Sequence, residues 1–167
     1  FKVNGRKVTI GGMAKGAGMI HPNMATMLCF ITTDASIDKA TLRSCVDDAV
    51  EHSFNRISVD GDTSTNDTVI VMANGLSGTN LLKSYHPQFD LFKKMLTHVM
   101  RKLARMIVED GEGITRVVDV VVKGAASAAD ALLLRRQVAA RWRDDDGRRV
   151  FPIRFHQQAV IAARLGR

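Results

Sequence analysis

Residues 25–33 read Ala-Thr-Met-Leu-Cys-Phe-Ile-Thr-Thr, a nearly continuous apolar run. It is far short of the roughly 20 apolar residues that a membrane helix needs. A strand with one wet face would alternate, and this run does not, so it predicts a strand buried on both faces. Such a strand requires elements to cover it. Residues 38–54 read as a helix with Ser36 or Asp38 as candidate cap and Leu42, Cys45, Val46, Ala49 and Val50 on one face. Residues 88–110 read as a longer amphipathic helix with Phe92, Met95, Leu96, Val99, Leu103, Met106 and Ile107 as its stripe. Between them lie a short strand at 57–59 and a second buried strand at 68–73. A strand of β-branched residues follows at 115–122, and a further helix starts at Ser127. Strands alternating with helices on this scale predict an α/β domain.

The start of the chain is a predicted hairpin over 2–10, because Asn4-Gly5 separates two short alternating runs. Residues 11–18 are rich in glycine and are expected to form a loop. The first residues, Phe-Lys-Val-Asn-Gly, lack an initiator Met and the layout of a signal peptide, which suggests a fragment or a processed chain.

With 167 residues there is room for one ordinary domain. The net charge of +7 invites a nucleic-acid reading, but its distribution argues against one. Residues 132–167 carry nine Arg against three Asp, which leaves the body near +1 and without a footprint for a polyanion. Cys29 and Cys45 make neither a disulfide framework nor a metal cluster, so a reducing compartment is expected. The five His residues are scattered without zinc spacing. Gly16-x-Gly18-x-x-His21 falls one residue short of a dinucleotide fingerprint, and 11–16 lacks the Lys-Ser/Thr of a phosphate loop. The acidic run from Asp60 has no Gly at the sixth position and no acid at the twelfth, so it is not a calcium loop.

What remains is the run from Gly11 to Leu28, where a glycine-punctuated loop enters an apolar strand whose first hydroxyl is Thr26. A Thr at such a junction can be presented into a cleft. A cut before it would leave a free α-amine, with an ordinary pKa near ~8, beside its own hydroxyl as base. The bland alternative is a Thr that opens a strand, since Thr favours strands in any case. Residues 60–67 likewise allow two readings, a self-bonded turn network or a second layer around an active site, and the turn network is favoured.

Four blocks carry a family resemblance: Lys15-Gly-Ala-Gly-Met-Ile-His-Pro-Asn-Met-Ala-Thr26-Met-Leu, then Ser53-Phe-Asn-Arg-Ile-Ser-Val-Asp-Gly-Asp-Thr-Ser-Thr-Asn-Asp67, then Ala73-Asn-Gly75, then Asp110-Gly-Glu-Gly113. In this order they resemble the glutamate N-acetyltransferase/ornithine acetyltransferase (ArgJ) family over roughly residues 1–130. The resemblance implies an ArgJ-like α/β fold with a mixed sheet and packed helices, incomplete at both ends. It implies self-cleavage at the Ala25–Thr26 bond, so that 1–25 ends an α chain and 26–131 begins a β chain. Thr26 would then be the catalytic nucleophile that carries the acetyl group. Lys15 and Glu112 would bind substrate, although a solvated loop cation and a turn acid remain open for them. Their charges suit a substrate carboxylate and α-ammonium group.

The implied reaction is acetyl transfer from N-acetylornithine to glutamate in arginine biosynthesis, with acetyl-CoA as a further donor. It needs no metal or prosthetic group. No nucleic-acid or membrane partner is implied, and the intact enzyme would be a heterotetramer of two α and two β chains. Its compartment would be the cytoplasm, or a mitochondrion or chloroplast in a eukaryote. The resemblance also places oxyanion-hole residues upstream of Phe1 and further substrate ligands downstream. The alternatives are therefore an inactive fragment or an N-terminal-nucleophile amidohydrolase. After Ala131 no family segment is matched. The switch to Arg-rich, Lys-free sequence over 132–167 suggests a tail of separate origin, such as a frameshift near 132–135, and a segment that packs loosely.

Overall fold

A computed structural model of the chain describes residues 1–20, 27–59, 66–111, 117–121, 126–127, 130 and 153–156. The chain opens with the expected hairpin. Strands β1 (Lys2–Val3) and β2 (Arg6–Lys7) pair antiparallel across Asn4-Gly5. Both turn residues have positive φ, 49° and 79°, the geometry that suits the right-handed twist of a tight hairpin.

The central sheet is mixed and has the order β3-β4-β6. Strand β3 (Ile10–Lys15) runs antiparallel to β4 (Leu28–Thr33), and β4 runs parallel to β6 (Thr68–Ala73). The parallel pair needs a crossover, which helix α1 (Lys39–Glu51) supplies. Asp38 caps α1: its carboxylate accepts from the Thr41 amide at 3.0 Å and from the Thr41 hydroxyl at 2.7 Å. These bonds hold the Asp38 carboxyl below its ordinary range. A 3₁₀ turn, Phe54–Arg56, follows α1 and leads into β5 (Ile57–Ser58).

Helix α2 (Phe89–Glu109) packs against β3 and α1. Of its expected stripe, Phe92, Leu96, Leu103 and Ile107 are in the core and Met95 and Val99 are partly covered, but Met106 is exposed; Met100, Ala104 and Val108 complete the buried face instead. Burial of each large side chain is worth roughly 1.5–3 kcal/mol. The Phe1 ring tilts onto Phe92 with centroids 6.3 Å apart, tying the first residue of the chain to the helix.

Two expectations are corrected. Strands β4 and β6 are not buried on both faces: in β6, Ile70 and Met72 are exposed and the other residues only partly covered. In β4, Cys29, Ile31 and Thr33 point into the core, while Leu28, Phe30 and Thr32 are exposed. One face of the sheet is covered by helix; the other presents Met13, Leu28, Phe30, Ile70 and Met72 to solvent. The glycine-rich stretch is not wholly loop either, because Ile10–Lys15 is a six-residue strand. Gly12, paired with Ile31, lies so close to β4 that a Cβ there would meet Ile31 Cγ1 at 2.8 Å and the Phe30 carbonyl at 2.9 Å, with Leu103 Cδ1 of α2 at 3.3 Å. The glycine makes room for the Ile31 side chain and the Phe30 carbonyl of β4 rather than serving a turn.

A second sheet has the order β5-β8-β7, with β7 at Val118–Val121 and β8 at Ile153–His156. Strand β8 runs parallel to β7 and antiparallel to β5. It lies inside the segment read from sequence as a loosely packed tail, and it is the middle strand of this sheet. The apolar-polar alternation Ile-Arg-Phe-His fits a strand. The helix expected from Ser127 falls almost wholly outside the described residues. Its first bond is visible: the Asp130 amide donates to Ser127 Oγ at 3.1 Å.

Candidate functional site

Of the site residues read from sequence, Lys15 is described; Ala25, Thr26 and Glu112 lie outside the described residues. Lys15 is the last residue of β3, exposed, and in register with Leu28. The residues beside each of the others are visible, and they converge. Gly16, next to Lys15, is surrounded by three apolar side chains: a Cβ there would stand 3.0 Å from Ile20 Cδ1, 3.4 Å from Ile107 Cγ2 and 3.5 Å from Met27 Cβ. Ile20 and Met27 flank residues 21–26, and Ile107 belongs to the last turn of α2, five residues before Glu112. The end of β3, both flanks of the Thr26 segment and the end of α2 therefore meet at one place.

Both flanks are fixed. On the upstream side, Met19 takes a left-handed φ of 59° and turns the chain inward to Ile20, which is buried. The Ile20 carbonyl accepts from the Val59 amide at 2.8 Å and from the buried Ser58 hydroxyl at 3.2 Å. On the downstream side, the Met27 amide donates to Asp67 Oδ1 at 2.8 Å, and the Met27 carbonyl accepts from the Thr68 amide at 3.0 Å. The Met27 side chain is itself in the core. Ser58, Val59 and Asp67 all come from the long block 53–67.

Burial pushes the Asp67 carboxyl above its ordinary range, and the bond from the Met27 amide partly offsets this. The reading of 60–67 as a self-bonded turn network does not hold for its last residue: Asp67 reaches forty positions back to the strand that carries Met27. Residues 60–65 lie outside the described set. Sequence reasoning did not single out Ser58, Val59 or Ile20. Their signal is faint, since two of the three contributions are backbone groups and any residue type supplies those.

A cleft of about 710 Å³ lies elsewhere, between α1 and the outer edge of β6. Leu42, Val46, Val50 and residues 69–71 line it, with Arg43 and Asp47 at its side. It holds none of the site residues read from sequence. Among the described residues no group of three or more His, Cys, Asp or Glu side chains is placed to hold a metal ion.

The model of the ArgJ family matches residues 1–141. The chain belongs to the ArgJ family. The match passes the boundary at 131 read from the sequence blocks. Among the similar proteins, glutamate N-acetyltransferase of Methanocaldococcus jannaschii is 58% identical over 134 residues, which are 79% of this chain and 32% of that protein. The arginine biosynthesis bifunctional protein ArgJ of Bacillus licheniformis is 51% identical over 136 residues, 81% of this chain and 34% of that protein. A crystal structure of arginine biosynthesis bifunctional protein ArgJ from Bacillus halodurans superposes with a TM-score of 0.63 at 43% identity, covering 68% of this chain and 54% of that one. The chain thus spans about a third of the length of the curated ArgJ relatives it matches. The α/β class and the mixed sheet agree with this membership.

Proposed function

We propose that this chain carries the self-cleaving, nucleophile-bearing segment of an acetyltransferase that moves the acetyl group of N-acetylornithine to glutamate, with acetyl-CoA as a further donor. In the first event the Thr26 hydroxyl attacks the Ala25 carbonyl carbon. The Ala25–Thr26 amide becomes an ester, and water hydrolyses it to a carboxylate at Ala25, a free hydroxyl and a free α-amine at Thr26. In the second event that hydroxyl attacks the acetyl amide of N-acetylornithine. The C–N bond breaks, the hydroxyl proton passes through the Thr26 α-amine to the departing ornithine nitrogen, and an acetyl ester remains on Thr26. The α-amine of glutamate then takes the acetyl group and restores the hydroxyl. Two ester-level steps replace one difficult amide exchange.

The observation that carries this reading is the anchoring of Ile20 and Met27, the residues on either side of 21–26, beside the end of β3 where Lys15 lies. Nucleophile chemistry needs a fixed near-attack geometry, and anchored flanking residues are consistent with that need. Lys15 supplies a cation for a substrate carboxylate and Glu112 an anion for its ammonium group. The assembly proposed is a heterotetramer of two α and two β chains. The compartment proposed is the cytoplasm, or an organelle in a eukaryote.

Intact mass spectrometry of a chain extended to the length of the curated relatives tests the first event, because the resemblance places the oxyanion-hole residues upstream of Phe1. Two species meeting between residues 25 and 26 are expected, and a single uncut species that N-acetylornithine leaves unmodified would count against the reading. Transfer is measured, in a chain extended to the length of the curated relatives, as passage of a labelled acetyl group to glutamate. Release of the label as free acetate would instead identify an amidohydrolase.

A further inference from the structure

We propose that Asp67 is a positioning residue for Thr26, acting through the backbone of Met27. The proposal rests on Thr26 as nucleophile and adds the group that holds it. The β4–β6 ladder begins at Leu28 and Thr68, so the Met27 amide lies one residue outside the strands. The Asp67 carboxylate takes that amide at 2.8 Å, while the next residue, Thr68, donates to the Met27 carbonyl at 3.0 Å. Both backbone polar groups of the residue after Thr26 are thereby bound to two consecutive residues, Asp67 just before β6 and Thr68 at its start.

The Met27 side chain is buried against Gly16, which removes its remaining freedom. A carboxylate held in a partly buried place is costly unless its bonds are made. A neutral acceptor or a backbone carbonyl would end the ladder at less cost, and an anionic oxygen gives the stronger, shorter bond. The arrangement trades desolvation for rigidity at the peptide unit that joins Thr26 to Met27. A misplacement of about 1 Å at a reacting group can cost on the order of 10² in rate.

The test uses a chain extended to the length of the curated relatives and compares it with its D67A and D67N forms. The Met27 amide is followed by ¹⁵N–¹H spectroscopy and hydrogen exchange, and the appearance of the species that begins at Thr26 by intact mass. D67N retains a side-chain oxygen that accepts the amide. It should keep the Met27 amide protected and cleave within about threefold of the parent. D67A should exchange Met27 at least about tenfold faster and cleave at least about tenfold more slowly, with the Ile31 and Val71 amides unchanged as a check on the fold. Two outcomes overturn the proposal: a Met27 amide unmoved in D67A, or a moved amide with an unchanged cleavage rate. A parent chain that stays uncut removes the nucleophile reading and the positioning role with it. A T26A form that keeps the Asp67-dependent Met27 amide while losing cleavage separates the two claims.

Discussion

Phe30 of β4 lies directly beside Ile70 of β6 in the parallel register, and the two side chains, 39% and 40% exposed, share the open face of the central sheet. Met13 completes the row from β3. Ile31, one residue along from Phe30, points the other way and is fully buried. Ile31→Ala should therefore cost about 2–5 kcal/mol in urea unfolding, whereas Ile70→Thr should stay within about 1 kcal/mol. Ile70→Thr should also lower binding of an apolar fluorescent dye to the native chain, because it interrupts the apolar patch.

Thr26 and Lys15 should separate cleanly in kinetics. In a chain extended to the length of the curated relatives, Thr26→Ala should abolish both self-cleavage and acetyl transfer. Thr26→Ser keeps the hydroxyl but loses the methyl that restricts the rotamer, so both reactions should continue at reduced rate. Lys15→Ala should raise KM by roughly tenfold or more with a smaller effect on kcat, as expected for lost carboxylate binding. Normal transfer by the Thr26→Ala form would refute the mechanism.

Helix α1 should weaken in acid at its N-terminus. The Thr41 bonds lower the Asp38 pKa in the folded chain. Its contribution is therefore full above the unfolded carboxyl pKa, near ~4, and is lost as pH falls through the lower folded value. Asp38→Ala should lower Tm at neutral pH and flatten the Tm–pH curve below pH ~4. Asp38→Asn, which still caps, should show the flattening with a smaller loss of Tm.

The two thiols should be inert in the folded chain. Cys29 of β4 and Cys45 of α1 are both fully buried and unpaired. Burial raises each pKa to about 11. Iodoacetamide at pH 8 should leave both unmodified, and addition of urea should release two labelling events per chain. Fast labelling without denaturant would contradict the placement of these residues in the core.

Strand β8 should matter to its neighbours although it lies in the Arg-rich tail. Proline cannot donate to a ladder and is excluded from central strands. Phe155→Pro should speed exchange of the Val118–Val121 amides by about tenfold or more while leaving β4 and β6 protected.

Elements marked by local chemistry were the legible ones. Asn4-Gly5 announces its turn, Asp38 announces its cap, and the 3.6-residue period over Phe92, Leu96 and Leu103 announces the buried face of α2. The errors came where tertiary contacts decide. Gly11 and Gly12 look like loop residues until β4 is seen against Gly12, and nothing within residues 10–15 encodes the position of Ile31. The run at 25–33 is apolar on both faces, which sequence reads as double burial, yet only one side of β4 is covered here. At the site, the Lys15–Leu28 and 53–67 blocks were recognisable as motifs. The bond from Met27 to Asp67 was not, since one partner is a main-chain amide and the separation is forty residues.

If the proposed cut at Ala25–Thr26 is made, the six register pairs between β3 and β4 take on a different character. The two strands then belong to separate polypeptides. The ladder from Ile10–Thr33 to Lys15–Leu28, together with α2 pressed on β3, becomes a subunit interface made of what was an intramolecular hairpin. Unfolding of the cut protein is then a dissociation, so its melting temperature acquires a dependence on protein concentration that the uncut chain lacks. The 1–25 peptide, once released by denaturant, becomes a ligand that can be supplied in trans and exchanged for a labelled or altered copy.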